Sequence, residues 1–376
     1  MKQVALTLHR FKYKLAEPLS IATYTWTHIE TILVKLHYDH FVGIGEATPF
    51  PIMTGETYDD VLSQLHDFKR YAIDPNADPD IFYHQVQNNI TSCHAAAALD
   101  GAFHDLLGKM RNKPVYKLFG NTANFTLNSL TLPILGVDET KHFALHLLKK
   151  HPQVQLVKLK INNTGMNTEI AKAIKEVFAE NVSFVIDPNQ CFKDSHDAVA
   201  VLQEMQAILG RIVVIEQPVD KHDYQGLLNV KNKLKGLNIY ADESVVTMDD
   251  LERIIEMNAV DGINIKIQKA GGIWKARKIA QRAAEAGLKV MVGCMMEGPI
   301  GIAAGIHFAV STPNVLFTDL DSDLFLFQDL PEPVFSTSLF SEGRRLPCEK
   351  PGLGIAINEE VMVKLTKENK LSYEEI

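Results

Sequence analysis

The sequence predicts an α/β protein: eight parallel strands with intervening helices closed into a barrel, preceded by a smaller α+β domain. From residue 126 onward, short apolar runs alternate strictly with amphipathic stretches of helical spacing. Three of those runs end in the acids Asp187, Glu216 and Asp242, which lie 29 and then 26 residues apart, about one strand-plus-helix unit of a β/α barrel. Before residue 126 strand-like segments come first and helical ones follow, the order expected of an α+β domain.

Taken in order, Val4 to Leu36 alternates in the manner of antiparallel strands, with residues 31–36 the clearest run and a polar turn at residues 38–40. Residues 19–27, which hold Tyr24 and Trp26, are apolar and hydroxyl-rich without a period, and read as a binding loop carried on a rigid frame, the alternative being a hairpin connection in which Tyr24 and Trp26 simply pack. Residues 43–51 are turn-rich. Helical spacing follows over 58–71, over 80–92 after Pro79, and over 95–110, where Ala96, Leu99, Phe103, Leu106 and Leu107 share one stripe. This capping domain is expected over residues 1–125. Barrel strands are expected near 126–133, 154–160, 183–187, 212–216, 238–242, 262–266, 289–293 and 315–319, with helices such as 168–179 and 272–286 between them. A doubly wound open sheet would bind its ligand at one topological switch point and would not gather charged residues from so many successive strands. The barrel is expected to end near residue 329, and the proline-rich stretch beyond it, residues 330–376, to return to the cap.

A chain of 376 residues, 46% hydrophobic and 22% charged, can bury a large core. Its formal net charge of −8, with acids and bases interspersed, gives no basic footprint for nucleic acid or an anionic membrane. Residues 1–10 lack the apolar core of a signal segment and no stretch approaches a membrane span, so the chain is expected in the cytoplasm. Cys93, Cys191, Cys294 and Cys348 lie too far apart for a zinc motif and read as reduced thiols. Cys294 falls near the barrel mouth and is read as a packing residue.

Any one of the three acids alone would pass as a strand-end or capping residue. Three at successive strand ends would converge on the barrel mouth, where they repel one another unless a hard cation such as Mg²⁺ joins them. Lys158 and Lys160, two apart at the end of the preceding strand, point the same way, so both ammonium groups enter the mouth. Two neighbouring cations lower one another's proton affinity and bring a lysine towards the neutral base. Lys266 ends a strand four places further on, across the barrel. Lys269 falls past that strand end and reads as a loop charge. A metal flanked by two opposed lysines suits abstraction of a proton next to a carboxylate from one face and its return to the other, which inverts the carbon.

The pair Lys158 and Lys160, with Asp187-Pro-Asn189, Glu216-Gln-Pro218, Asp242-Glu-Ser244 and Lys266, resembles the enolase superfamily and its muconate lactonizing subgroup over nearly the whole chain. That superfamily is itself a standard example of lysine bases working beside magnesium. The resemblance implies a (β/α)₇β modified TIM barrel with an α+β capping domain. It implies Mg²⁺ on Asp187, Glu216 and Asp242, Lys160 and Lys266 as the catalytic acid/base pair, and Lys158 as a group that polarises the substrate carboxylate or supports Lys160. Asp319 and Asp321 on the last strand look like the Asp-x-Asp pair of dipeptide epimerases, which holds a free α-ammonium. Two carboxylates facing the same way suit a cation and oppose an all-anionic substrate. Asp323, in the turn beyond, reads as a capping acid. By the same resemblance Thr131 contacts substrate, and Met296 and Glu297 lie in the seventh-strand loop beside it. The activity implied is epimerisation of a dipeptide at its C-terminal residue, with L-Ala-L/D-Glu as the leading substrate, by an enzyme that forms a homo-oligomer.

One departure bears on the substrate. In the family that the chain resembles, L-Ala-D/L-Glu epimerases commonly place an arginine in the capping loop to grip the glutamate side chain, and residues 20–27 contain none. Tyr24 offers a single hydroxyl in its place, or forms with Trp26 a wall for an apolar residue. A cycloisomerase or an o-succinylbenzoate synthase would share the metal and lysines, but has no ammonium for Asp319 and Asp321 to pair. A binding barrel without catalysis has no need of opposed lysines.

Overall fold

In the computed structural model of the chain, the described residues are 3–20, 24–120, 123–326, 334–336 and 339–376. The barrel sheet contains eight parallel strands in strict sequence order: Leu130–Leu132, Leu156–Lys160, Ser183–Asp187, Ile212–Glu216, Asn238–Ala241, Gly262–Lys266, Lys289–Gly293 and Val315–Asp319. The first and last strands meet through a bridge between Asn128 and Thr318, with the Ser129 amide donating to the Thr318 carbonyl at 2.7 Å. The Asn128 side chain stitches this seam, accepting from Thr318 Oγ1 at 2.8 Å and from the Leu320 amide at 2.9 Å. A full helix follows each of the first seven strands, the last of them Pro299–Val310. The eighth strand runs directly into the five-residue helix Ser322–Leu326, and the next helix among the described residues is Glu359–Lys367 in the C-terminal stretch. This is the (β/α)₇β arrangement.

The expected first strand, 126–133, divides in two. Residues 126–127 pair instead with Arg344–Leu346 in a separate three-stranded sheet, and only 130–132 join the barrel. Alternation along each strand fills the barrel in layers. Leu156, Val185, Val214, Tyr240, Met291 and Phe317 close its floor, each such burial contributing about 1.5–3 kcal/mol. Gly262 is part of this layer because a Cβ there would lie 2.5 Å from the Tyr240 ring. One layer up the inward residues become charged or polar, and the site begins.

In the cap, Ala5–Ser20, Thr25–Tyr38 and Phe41–Ala47 form an antiparallel sheet, to which the C-terminal strand Leu371–Glu375 adds alongside Ala5–Ser20. The expected loop at 19–27 is mostly a hairpin tip, for the ladder resumes after a register shift and pairs Leu19 with Trp26 and Ser20 with Thr25. Its residues 21–23 lie outside the described residues. The alternating hydroxyls and apolar residues are thus those of a short extended ladder, which the sequence masks by its lack of charge. Helix Cys93–Met110, capped by Ser92, is buried along most of its length. It lies directly on the third cap strand, since a Cβ at Gly43 or Gly45 would collide with the Ala102 or Ala98 carbonyl.

Candidate active site

At the C-terminal ends of the barrel strands, acids and lysines share one buried layer and the rim above it. Lys158 lies deepest, 1% exposed, with its Nζ 2.6 Å from Asp319 Oδ2 and 2.9 Å from both Asp187 Oδ2 and Glu216 Oε2. Burial opposes its charge, but the three carboxylates outweigh that and hold the ammonium well above its usual range. The lowered proton affinity expected of paired lysines is therefore not found at Lys158, whose acids are nearer than its partner. Lys160, one turn of the pleat higher, donates to Asp187 Oδ2 at 2.6 Å and to Asn189 Oδ1 at 2.8 Å. Lys266 approaches Asp242 Oδ2 at 2.8 Å from the sixth strand, four strands away from Lys160. Burial lowers its proton affinity, and Asp242 more than restores it.

The three acids are fully enclosed. Burial drives Glu216 up, with the neighbouring Asp187 charge adding to it, to about 7. Burial also pushes on Asp187 and Asp242, but the lysines beside them prevail and both lie below the usual carboxylate range. Glu243, which the strand-end pattern alone does not single out, faces the same space and is raised to about 7 by burial and by Asp242. Glu216 Oε2 and Asp242 Oδ2 are buried and face only ion-pair contacts, from Lys158 at 2.9 Å and Lys266 at 2.8 Å, and Glu243 Oε2 is buried without a hydrogen-bond partner. Buried carboxylate oxygens with unfilled lone pairs suit a hard divalent cation in chemistry, though here Lys158 and Lys266 stand among the acids, and among the described residues the three ligand side chains whose donor atoms all lie within 4.8 Å of one another are Glu56, Cys93 and His94.

Groups around the acids fix their orientation. Asn264 donates to Glu216 Oε1 at 2.8 Å, and Gly293 leaves room for it, as a Cβ there would lie 2.7 Å from the Asn264 amide. Lys269 is not the loop charge expected. The short helix Ile267–Ala270 turns it inward, where at 2% exposure it donates to Asp242 Oδ1 at 2.8 Å and to the Asp242 and Asn264 carbonyls at 2.5 and 3.0 Å. Between them Gln268 accepts from the Thr48 amide at 3.1 Å and donates to the Glu46 carbonyl at 2.7 Å, which ties the cap to the turn that follows Lys266.

On the last strand, Asp319 Oδ1 accepts from Ser129 Oγ at 2.8 Å and from Thr131 Oγ1 at 3.4 Å, while Asp321 Oδ2 takes the Thr131 amide at 2.7 Å. Burial and the Asp319 charge raise Asp321 to about 7. Asp323 instead pairs with the fully buried Arg345. Glu297 accepts the Met295 amide at 2.6 Å and so shapes the loop that carries Met296, while burial raises it to about 7. Glu46 of the cap receives the Gly298 and Gly301 amides at 2.9 and 3.0 Å, at the start of the seventh helix.

These groups surround one cavity, lined by Lys160, Lys266, Thr131, Met296, Asp319 and Asp321 among others. Cys294 is also on its wall, a free thiol whose proton affinity burial raises. Tyr24, 42% exposed, stands behind this wall, edge-on to Trp26 at 4.9 Å, and it is Trp26 and Phe50 that face the cavity. No helix among the described residues is long and apolar enough to cross a membrane.

Residues 4–120 match the family described as "Mandelate racemase / muconate lactonizing enzyme, N-terminal domain", and residues 144–361 match "Enolase C-terminal domain-like". The L-Ala-D/L-Glu epimerase of Bacillus subtilis is 32% identical over 362 residues, covering 94% of this chain and 97% of that protein. The hydrophobic dipeptide epimerase of Enterococcus faecalis is 34% identical over 334 residues, covering 86% and 91%. A solved structure of the dipeptide epimerase from Enterococcus faecalis, complexed with Mg and L-Leu-L-Tyr, is similar with a TM-score of 0.87 and 30% identity over 94% of this chain and 100% of that one. With a barrel of seven β/α units and a final strand, an α+β cap, and both of its halves matched, the chain belongs to the enolase superfamily, in its mandelate racemase and muconate lactonizing enzyme group.

Proposed function

We propose that this protein is a Mg²⁺-dependent dipeptide epimerase that inverts the α-carbon of the C-terminal residue. The observation that carries the reading is the placing of Lys160 and Lys266 on opposite strands of one cavity, with carboxylates between them and a second acidic pair at its far side. Asp187, Glu216 and Asp242 would hold the ion, with Glu243 beside them. Bound there, a divalent cation would supply positive charge that stabilises the charge developing on the substrate carboxylate and offsets the acid that holds Lys266 protonated.

This chain's own residues account for the rest. Asp319 and Asp321 receive the dipeptide's α-ammonium, so the peptide spans the mouth from the last strand towards the third to fifth. That pose leaves the C-terminal Cα between the two lysines. One of them takes the α-proton, the electron pair delocalises into the adjacent carboxylate, and the opposite ammonium returns a proton to the other face. Lys158, surrounded by Asp187, Glu216 and Asp319, stays protonated and holds these carboxylates together. The assigned division of the chain is a cap from residues 1–125 and 330–376, and a barrel from residues 126–329.

Incubation with L-Ala-L-Xaa dipeptides and Mg²⁺ in D₂O tests this by mass spectrometry, with a gain of one deuterium expected at the C-terminal α-carbon. Lys160→Ala and Lys266→Ala each abolish epimerisation, and one of them retains exchange on a single isomer. Normal turnover by both variants would rule out the two-lysine mechanism.

A further inference from the structure

The charge around the cavity points to a substrate class, and we propose that the C-terminal residue of the dipeptide carries an apolar side chain rather than a carboxylate. This rests on the dipeptide epimerase function proposed above, and it departs from L-Ala-L/D-Glu as the leading substrate. The charged groups that line the cavity are Lys160, Glu243, Lys266, Asp319 and Asp321, all at barrel strand ends. In the proposed pose each of them stands against the peptide's carboxylate, α-carbon or ammonium, or beside the ion. None remains for a side chain.

Above this charged layer the wall, among the described residues, is uncharged. Trp26, Phe50, Ile52 and Met53 of the cap face Met296 and Phe325 from the barrel loops, and the polar members of the wall, Ser20, Gln190 and Ser322, are neutral. A glutamate side chain lying against this wall would give up part of its water and meet no cation among the described residues, a cost that an apolar side chain does not bear. A leucine, phenylalanine or tyrosine side chain would bury apolar surface against the same groups.

The wall is also fixed in place. Trp26 sits in the cap ladder opposite Leu19, its ring 5.0 Å from that of Phe50, and Tyr24 braces both from outside at 4.9 and 5.8 Å. A shape held by strand pairing and ring contacts selects by fit and does not need a mobile charged arm.

The test compares kcat/KM for L-Ala-L-Leu, L-Ala-L-Phe, L-Ala-L-Glu and L-Ala-L-Lys with the full chain and Mg²⁺. Discrimination against a group left without a partner reaches about 100-fold or more, so the apolar dipeptides are expected to exceed L-Ala-L-Glu by at least about 100-fold. Ile52, 48% exposed on the short helix Pro51–Thr54, is the place to add a cation without disturbing the core. Ile52→Arg is expected to raise L-Ala-L-Glu turnover about tenfold and to lower that of L-Ala-L-Leu. L-Ala-L-Phe should also perturb the fluorescence of Trp26, a change absent from Trp26→Phe. A preference for L-Ala-L-Glu or L-Ala-L-Lys would overturn the inference and leave the epimerase function standing. Absence of α-proton exchange on every dipeptide would overturn both.

Discussion

Replacing Lys269 by methionine isolates what the buried turn after the sixth strand does for the acids. Methionine keeps an unbranched chain and removes the charge and all three donated bonds, to Asp242 Oδ1 at 2.8 Å and to the Asp242 and Asn264 carbonyls at 2.5 and 3.0 Å. Lys266 Nζ still faces the other oxygen of Asp242 at 2.8 Å, so the carboxylate stays charged but half supported. Removing one partner of a buried ion pair costs about 3–5 kcal/mol, because the remaining groups cannot regain water. Unfolding entropy is about 2.1 cal/mol/K per residue, or about 0.8 kcal/mol/K for 376 residues unfolding together. The melting temperature is therefore expected to fall by about 4–6 °C. Calorimetry of chelator-treated wild type and variant at one scan rate measures it. A shift below about 1 °C would show that Asp242 does not depend on Lys269, and would return this residue to the surface role its sequence position suggests.

Gly293→Ala places a Cβ 2.7 Å from the Asn264 amide, which must move and release its 2.8 Å bond to Glu216. Loss of such a supporting bond typically weakens metal affinity about 10–100-fold, and a Mg²⁺ titration by calorimetry with unchanged affinity would refute the link. His307 gives a pH dependence of definite sign. Its Nδ1 accepts the Tyr116 amide at 3.2 Å and its Nε2 faces the Leu353 carbonyl at 3.2 Å, a neutral ring that burial pushes down to about 4. The unfolded ring titrates at about 6.5, so the stability is complete above that pH and is lost as pH falls towards 4, about 3 kcal/mol in all. Urea midpoints at about pH 7 and pH 4.5, on either side of most of that loss, are expected to differ less in His307→Gln than in wild type, and equal differences would refute the assignment.

The barrel strands were legible because each is a short apolar run, as burial on both faces requires, and six of the eight are closed by a charged residue, all but 130–132 and 289–293. Asp187, Glu216, Asp242, Lys160 and Lys266 all end such runs. What the sequence hid depends on tertiary turns. Lys269 and Gln268 lie just past a strand, and only the one-turn helix 267–270 decides that one points under the acids and the other to the cap. Glu46 looks like an ordinary strand acid until the seventh helix presents two amides to it. The wall of the cavity is assembled from residues far apart in the chain, among them Trp26, Phe50 and Phe325, none of which carries a local signal.

The cap sheet sets an order on synthesis. Its strand Ala5–Ser20 is made about 350 residues before its partner, for one of its edges pairs with residues 371–375, in the register His9 to Glu375 through Tyr13 to Leu371. Until residue 375 has been made, that edge presents unpaired backbone to any passing strand while the barrel is still closing behind it. A nascent chain therefore carries an open β edge throughout the synthesis of the barrel, and the cap sheet is completed only after the barrel that it covers.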